Sequence, residues 1–176
     1  GSSGLNGLLS AKKEHLKADY LAVVDLGIPS LETPAVTLGI RGIIAIDVEA
    51  TGSATDLHSG CHGGLAYNPI RGLTEVLSKM YEPSGRVSIP HFYDDIELVD
   101  EEEKKHLSLK FDPQKYQQMF GALATGGERH LSPLERNWLQ PTLEINGISG
   151  GYSGSGFKTV IPAKAYAKVS CRLVPG

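Results

Sequence analysis

Along two stretches of this chain apolar and polar positions alternate strictly, and along several others they recur with a helical period. From Val36 the apolar positions Leu38, Ile40, Ile44, Ile46 and Val48 run against Arg41, Asp47 and Glu49 on the other parity. That is the pattern of a long strand with one face buried. Near the other end Ala165, Ala167, Val169, Cys171 and Leu173 alternate with Lys164, Tyr166, Lys168, Ser170 and Arg172, which predicts a second strand with one core face and one wet face. "PTLEING" supplies a third, and Tyr20 to Asp25 reads as a short buried strand ending in a carboxylate.

Helical spacing comes in between. "YNPIRGLTEVLSKM" places Asn68 as a cap, Pro69 in the first turn, and Ile70, Leu73, Val76 and Leu77 on one face, predicting a helix from Pro69 to Met80. Leu5 to Lys17 reads as another helix, with Ser3 as its N-cap. From Pro83 to Pro141 charge rises and local start signals multiply: Asp100 before an acidic first turn, the Asp-Pro opening of "FDPQKYQQMFGALA", and Ser132, Pro133 and Glu135 as a capping box. These predict small helices on an excursion. The order of elements points to an α+β fold, a largely antiparallel sheet with helices on one face.

Composition narrows the function classes. The chain has 176 residues, is 40% hydrophobic and carries a formal charge of -3. It has neither the basic surface of a nucleic-acid binder nor the composition of a disordered chain. Apolar runs such as "YLAVV" and "GIIAI" are too short to span a bilayer, and no charged-then-apolar leader opens the sequence. The expectation is a soluble, cytoplasmic protein with no membrane or nucleic-acid partner. Cys61 and Cys171 lie too far apart to suggest a disulfide framework and are expected as reduced thiols.

Chemistry concentrates in "DLHSGCHGG", Asp56 to Gly64, which can be read as a metal site, a catalytic loop or a turn. His58, Cys61 and His62 have ligand-like spacing, but a structural zinc site needs four ligands and no second Cys/His pair follows. Isolated loop histidines are also common as solvated groups. "GISGG" matches the nucleophile elbow G-x-S-x-G at Ser149, yet "GYSGSG" after it cannot form the required helix. "GYSGSGFKT" nearly spells a phosphate-binding loop, but Phe157 interrupts it and "VIPAKA" follows where a helix is needed. What survives is a flexible loop presenting Lys158 and Thr159 beside a strand.

Taken together, "DLHSGCHGGLAYNPIRGL", "PHFYDDI", "PTLEINGISGGYSGSGFKTVIPAKA" and "KVSCRLVP" resemble, in order and spacing, the M20 family of zinc metallopeptidases, especially its dipeptidase and carnosinase-like branch. The resemblance covers nearly the whole chain; Glu101 to Arg136 shares only helical character. It implies a catalytic domain with two zinc ions, or manganese or cobalt, interrupted by a lid that makes the homodimer. That lid would be a four-stranded antiparallel sheet with two helices on one face. Residues 1–40 would then be the end of a catalytic-domain segment, and 41–176 an incomplete lid with a helical insertion at about 83–140.

The resemblance also assigns roles. Asp25 stands where the family has a carboxylate metal ligand, while the other ligands and the glutamate base are expected outside this stretch. His58 resembles the lid histidine that stabilises the oxyanion in the partner subunit's site. Thr159 and Arg172 match positions that bind the carboxylate end of a dipeptide or N-acyl amino acid, for which an arginine fork is suited. Cys61 and His62 receive no role. The isolated chain is expected to bind no metal firmly and to be inactive, with the edge from Ile44 to Val48 and the Pro69–Met80 helix as the dimer surface. A non-enzymatic dimerisation or binding module is the rival class.

Overall fold

A computed structural model of the chain describes residues 3–22, 37, 39–97, 99–106 and 110–175, and divides into two compact units, Gly1–Ile40 and Arg41–Gly176. In the first unit helix α1 spans Leu5–Ala11 and then gives way to turns, so it stops well short of Lys17. Gly4, in the left-handed region at φ 91°, occupies the N-cap, and no side chain caps the helix; Ser3 does not serve. None of its residues is buried, and a two-turn helix without a packed face has little to extend it. Tyr20, Leu21 and Ala22 take no strand pairing. Asp25 and the rest of that expected strand lie outside the described residues.

The second unit is built on strands β1 (Gly42–Thr51), β2 (Leu57–His58), β3 (Thr142–Gly150), β4 (Val160–Ile161) and β5 (Lys164–Leu173). β5 lies between β1 and β3 in a three-stranded antiparallel sheet, and β2 pairs with β4 in a separate ribbon. The expectation of an antiparallel α+β fold holds. The register sets Ile44, Ile46, Val48 and Ala50 opposite Cys171, Val169, Ala167 and Ala165, so one parity of each strand shares a face. Asn146 is an extra residue in β3, because Ile145 pairs with Val169 and Gly147 with Lys168.

Of the strand expected from Val36, residues 36 and 38 lie outside the described residues, and β1 begins at Gly42, which pairs with Leu173 at the end of β5. Beyond Leu173 the partner runs into Pro175, which has no N–H to offer, so Ile40 stays unpaired and exposed.

Helix α2 is a single turn, Ser59–His62, and α3 spans Pro69–Ser78. α3 forms as its sequence predicts: the Asn68 side chain accepts the Ile70 N–H at 2.9 Å, and Pro69 occupies the first turn. Its Leu73 and Leu77 are buried against Ala165, Ala167, Val169 and Cys171 of β5, with Leu143 from β3. The two alanines on the central strand leave room for the helix to approach closely. Val48 and Ala50 join this core, but Ile44 and Ile46, on the same face of β1, remain 48% and 46% exposed because α3 does not reach them. The opposite face is wet, with Lys168 paired to Asp47 and Lys164 to Glu49, each at 2.6 Å.

The excursion carries α4 (Glu101–His106), α5 (Pro113–Phe120) and a π-helical turn at Glu135–Leu139. Each start signal works as read: Asp100 accepts the Glu103 N–H, Asp112 accepts from Gln114 and Lys115, and Ser132 and Glu135 bond reciprocally. Two contacts tie the middle of the excursion back to its start. Gly85, at φ 89°, lies so close to Gly127 that a Cβ there would sit 2.1 Å from the Gly127 carbonyl oxygen. Beside it Arg86 pairs with the buried Glu128 at 3.2 Å and stacks on the Tyr93 ring at 3.8 Å.

Candidate functional site

The "DLHSGCHGG" segment folds as a short strand and one helical turn. Leu57 pairs with Ile161 and His58 with Val160, and the ribbon is continued by Ser59, whose N–H donates to the Thr159 carbonyl at 3.0 Å. Asp56 anchors the ribbon by accepting the Ala163 N–H at 2.8 Å, and the Ala163 carbonyl accepts from Gly52 N–H at the same distance. The ribbon therefore sits beyond the Lys164 end of β5, where the chain turns between β4 and the sheet.

His58 is the N-cap of α2, its Nδ1 accepting the Gly60 N–H at 2.8 Å. A neutral imidazole carries one proton, so an Nδ1 that accepts leaves the proton on Nε2. The exposed ring therefore offers Nε2–H as a donor. Thr159, opposite Ser59 and one residue before the His58 partner Val160, is exposed at the end of a glycine-rich loop in which Tyr152 donates to the Ser155 carbonyl at 2.6 Å and Lys158 lies 4.6 Å from the Tyr152 ring. β4 follows this loop, and no helix is there to face a phosphate. Ser149 lies within β3 opposite Tyr166.

Arg172 is elsewhere. It is exposed on the wet face of β5, between Ile43 of β1 and Thr142 of β3. Eight residues separate it from Lys164 along β5, about 27 Å at roughly 3.4 Å per residue. Close to it is Arg41, which donates to Asn137 Oδ1 at 3.2 Å and to Thr142 Oγ1 at 3.5 Å. Burial, and then the neighbouring Arg172 charge, lower the Arg41 pKa. Among the described residues no carboxylate pairs with Arg172, so the two guanidinium groups form a patch suited to an anion. Arg41 was not singled out from the sequence, because only the antiparallel register brings the residue before β1 diagonally across to Arg172.

The structure thus places His58 on the β2–β4 ribbon with Thr159 opposite Ser59, and Arg172 near the far end of β5. Among the described residues no three His, Cys, Asp or Glu side chains converge as a metal-ligand set, and His58, Cys61 and His62 do not form one. Asp25 falls outside the described residues.

Comparison with known proteins gives a consistent picture. The sequence profile of the M20 peptidase dimerisation domain matches residues 38–176. The Cys-Gly metallodipeptidase of Schizosaccharomyces pombe is 34% identical over 178 residues, covering 99% of this chain and 37% of that protein. The Beta-Ala-His dipeptidase of Homo sapiens is 32% identical, covering 99% of this chain and 35% of that protein. The chain thus spans little more than a third of the length of these relatives. Among solved structures, human carnosine dipeptidase 1 superposes with a TM-score of 0.80 at 31% identity, over 99% of this chain and 37% of that one. The M20 metallo-carboxypeptidase Sso-CP2 of Sulfolobus solfataricus gives 0.78 at 28% identity, over 98% and 45%.

Proposed function

Because this chain belongs to the M20 peptidase family through its dimerisation domain, we propose that it supplies the dimer contact and part of the substrate site of a metal-dependent dipeptidase. The observation that carries this reading is the division of the candidate groups. His58 lies on the β2–β4 ribbon beyond the Lys164 end of β5, with Thr159 next in chain to its partner Val160, and the arginine patch lies towards the other end of β5, Lys164 and Arg172 being about 27 Å apart along the strand. A dipeptide is far shorter than that separation, since two extended residues span only about 7 Å. In this proposal one substrate meets His58 of one chain and Arg172 of the other.

In this reading His58 presents Nε2–H to the oxyanion that develops as the amide carbonyl becomes tetrahedral. A donor fixed before the reaction stabilises that charge without reorganising. Thr159, just before the neighbouring strand β4, serves as a hydroxyl donor to the substrate. Arg172 of the other chain, with Arg41 adding positive potential, takes the free carboxylate of a dipeptide or N-acyl amino acid. The names of the relatives, Cys-Gly and Beta-Ala-His dipeptidases, support a dipeptide. The described residues do not form a metal centre. A catalytic ion takes about three protein ligands, so Asp25 would hold one only together with further ligands. We assign the protein to the cytoplasm as a homodimer; among the described residues no helix is long and apolar enough to cross a membrane.

Steady-state kinetics on the full-length enzyme containing this chain separate the two roles. His58→Ala lowers kcat by about 10²–10³-fold with KM near normal, as loss of a donor used only in the transition state requires. Arg172→Ala mainly raises KM for dipeptides with a free carboxylate and has little effect on C-terminal amides. An effect of His58→Ala confined to KM, or an Arg172→Ala penalty as large on amides as on acids, contradicts these assignments.

A further inference from the structure

We infer that Gly60 is a positioning residue for His58, its backbone N–H and its missing side chain together deciding which ring nitrogen offers the proton. This rests on the reading of His58 as a donor and extends it to a residue that touches no substrate. His58 leaves β2 in an extended conformation, φ -73° and ψ 118°, so its ring folds back over the turn that follows. There Nδ1 receives the Gly60 N–H at 2.8 Å. Without that bond the neutral ring is free to place its proton on either nitrogen, and only one choice leaves a donor on Nε2.

The space around Gly60 carries the second half of the inference. A Cβ at this position would lie 2.7 Å from His58 Cε1 and 3.1 Å from Nδ1, closer than packed atoms tolerate. Gly60 is not one of the glycines held at positive φ, so alanine could adopt its backbone without strain. The atoms in the way belong to an exposed ring that can rotate aside. Glycine is therefore needed here for the imidazole and not for the fold. Replacing it should leave the turn standing and move the ring, and a displacement of about 1 Å in a reacting group can cost 10²-fold in rate.

The test has a spectroscopic arm and a kinetic one. Ring ¹⁵N shifts of His58 in the 176-residue chain, recorded with the imidazole neutral, should show a protonated Nε2 and a bare Nδ1; a proton on Nδ1, or a mixture, overturns the inference. Gly60→Ala should lose that uniform tautomer while keeping a thermal midpoint close to the wild type. If that variant fails to fold, the wild-type ring shifts still decide the matter. In the full-length enzyme Gly60→Ala should lower kcat by roughly 10–10²-fold with KM near normal. In the His58→Ala background the same change should cost nothing further, because Gly60 acts only through the ring. An equal loss in both backgrounds, or no loss in the wild type, contradicts it. Should His58→Ala alone leave kcat intact, the reading of His58 fails, and the ring shifts alone judge the hold of Gly60 on the tautomer.

Discussion

One hydrogen bond of 2.8 Å turns a loop histidine into a defined donor. His58 and Thr159 were legible as motif positions, but that their two segments form one ribbon depends on β2 pairing with β4, and neither Gly60 nor Arg41 carries a signal in the sequence that separates it from neighbouring glycines and arginines. Another residue-scale consequence was equally hidden. Tyr81 donates to the Leu143 carbonyl at 2.7 Å, and burial, with smaller contributions from Glu144 and Cys171, pushes its pKa up to about 12. An unfolded tyrosine releases its proton near pH 10. The folded state keeps it longer, so the contribution of this group is complete below about pH 10 and is lost as pH climbs towards about 12. Tyr81→Phe should cost about 1 kcal/mol at neutral pH through the lost bond. In urea melts at pH 8, 10 and 11.5 the variant should also lose stability less steeply than wild type over the alkaline range. Parallel slopes for the two proteins would refute the assignment.

At the scale of elements, α3 was readable because cap, proline and periodicity all sit within a dozen residues. Its Asn68→Ala variant should lose about 1 kcal/mol, measured by urea denaturation, since the Ile70 N–H then has no side-chain partner; a change below about 0.3 kcal/mol would show that the cap is replaced by solvent. The same locality made the starts of α4, α5 and the Ser132 capping box visible. Pairing is not local, and there the sequence misled. Alternation does not say where a partner strand ends, and among the described residues β1 begins at Gly42, opposite Leu173. α1 looked longer because leucine spacing says nothing about whether a face will be packed. The bulge at Asn146 and the separate ribbon likewise follow from partners far along the chain.

At the scale of the whole molecule, the sheet leaves work for a second copy. Ile44 and Ile46 of the edge strand β1 are 48% and 46% exposed, and Val76 of α3 is 51% exposed. Apolar side chains along an unpaired strand edge invite another chain, which fits a dimer formed through this face. In the proposed site the length of β5 sets the ribbon end, with His58, apart from the arginine end. The most direct test pairs two damaged chains of the full-length enzyme, one carrying His58→Ala and the other Arg172→Ala, and measures kcat/KM on a free dipeptide. If each site takes His58 from one chain and Arg172 from the other, the mixed dimer holds one intact site and one doubly damaged site. It should recover about half the wild-type kcat/KM per dimer, far above either variant alone. If both residues serve a site within one chain, every site in the mixed dimer keeps one lesion, and activity no higher than the mean of the two variants would contradict the shared site.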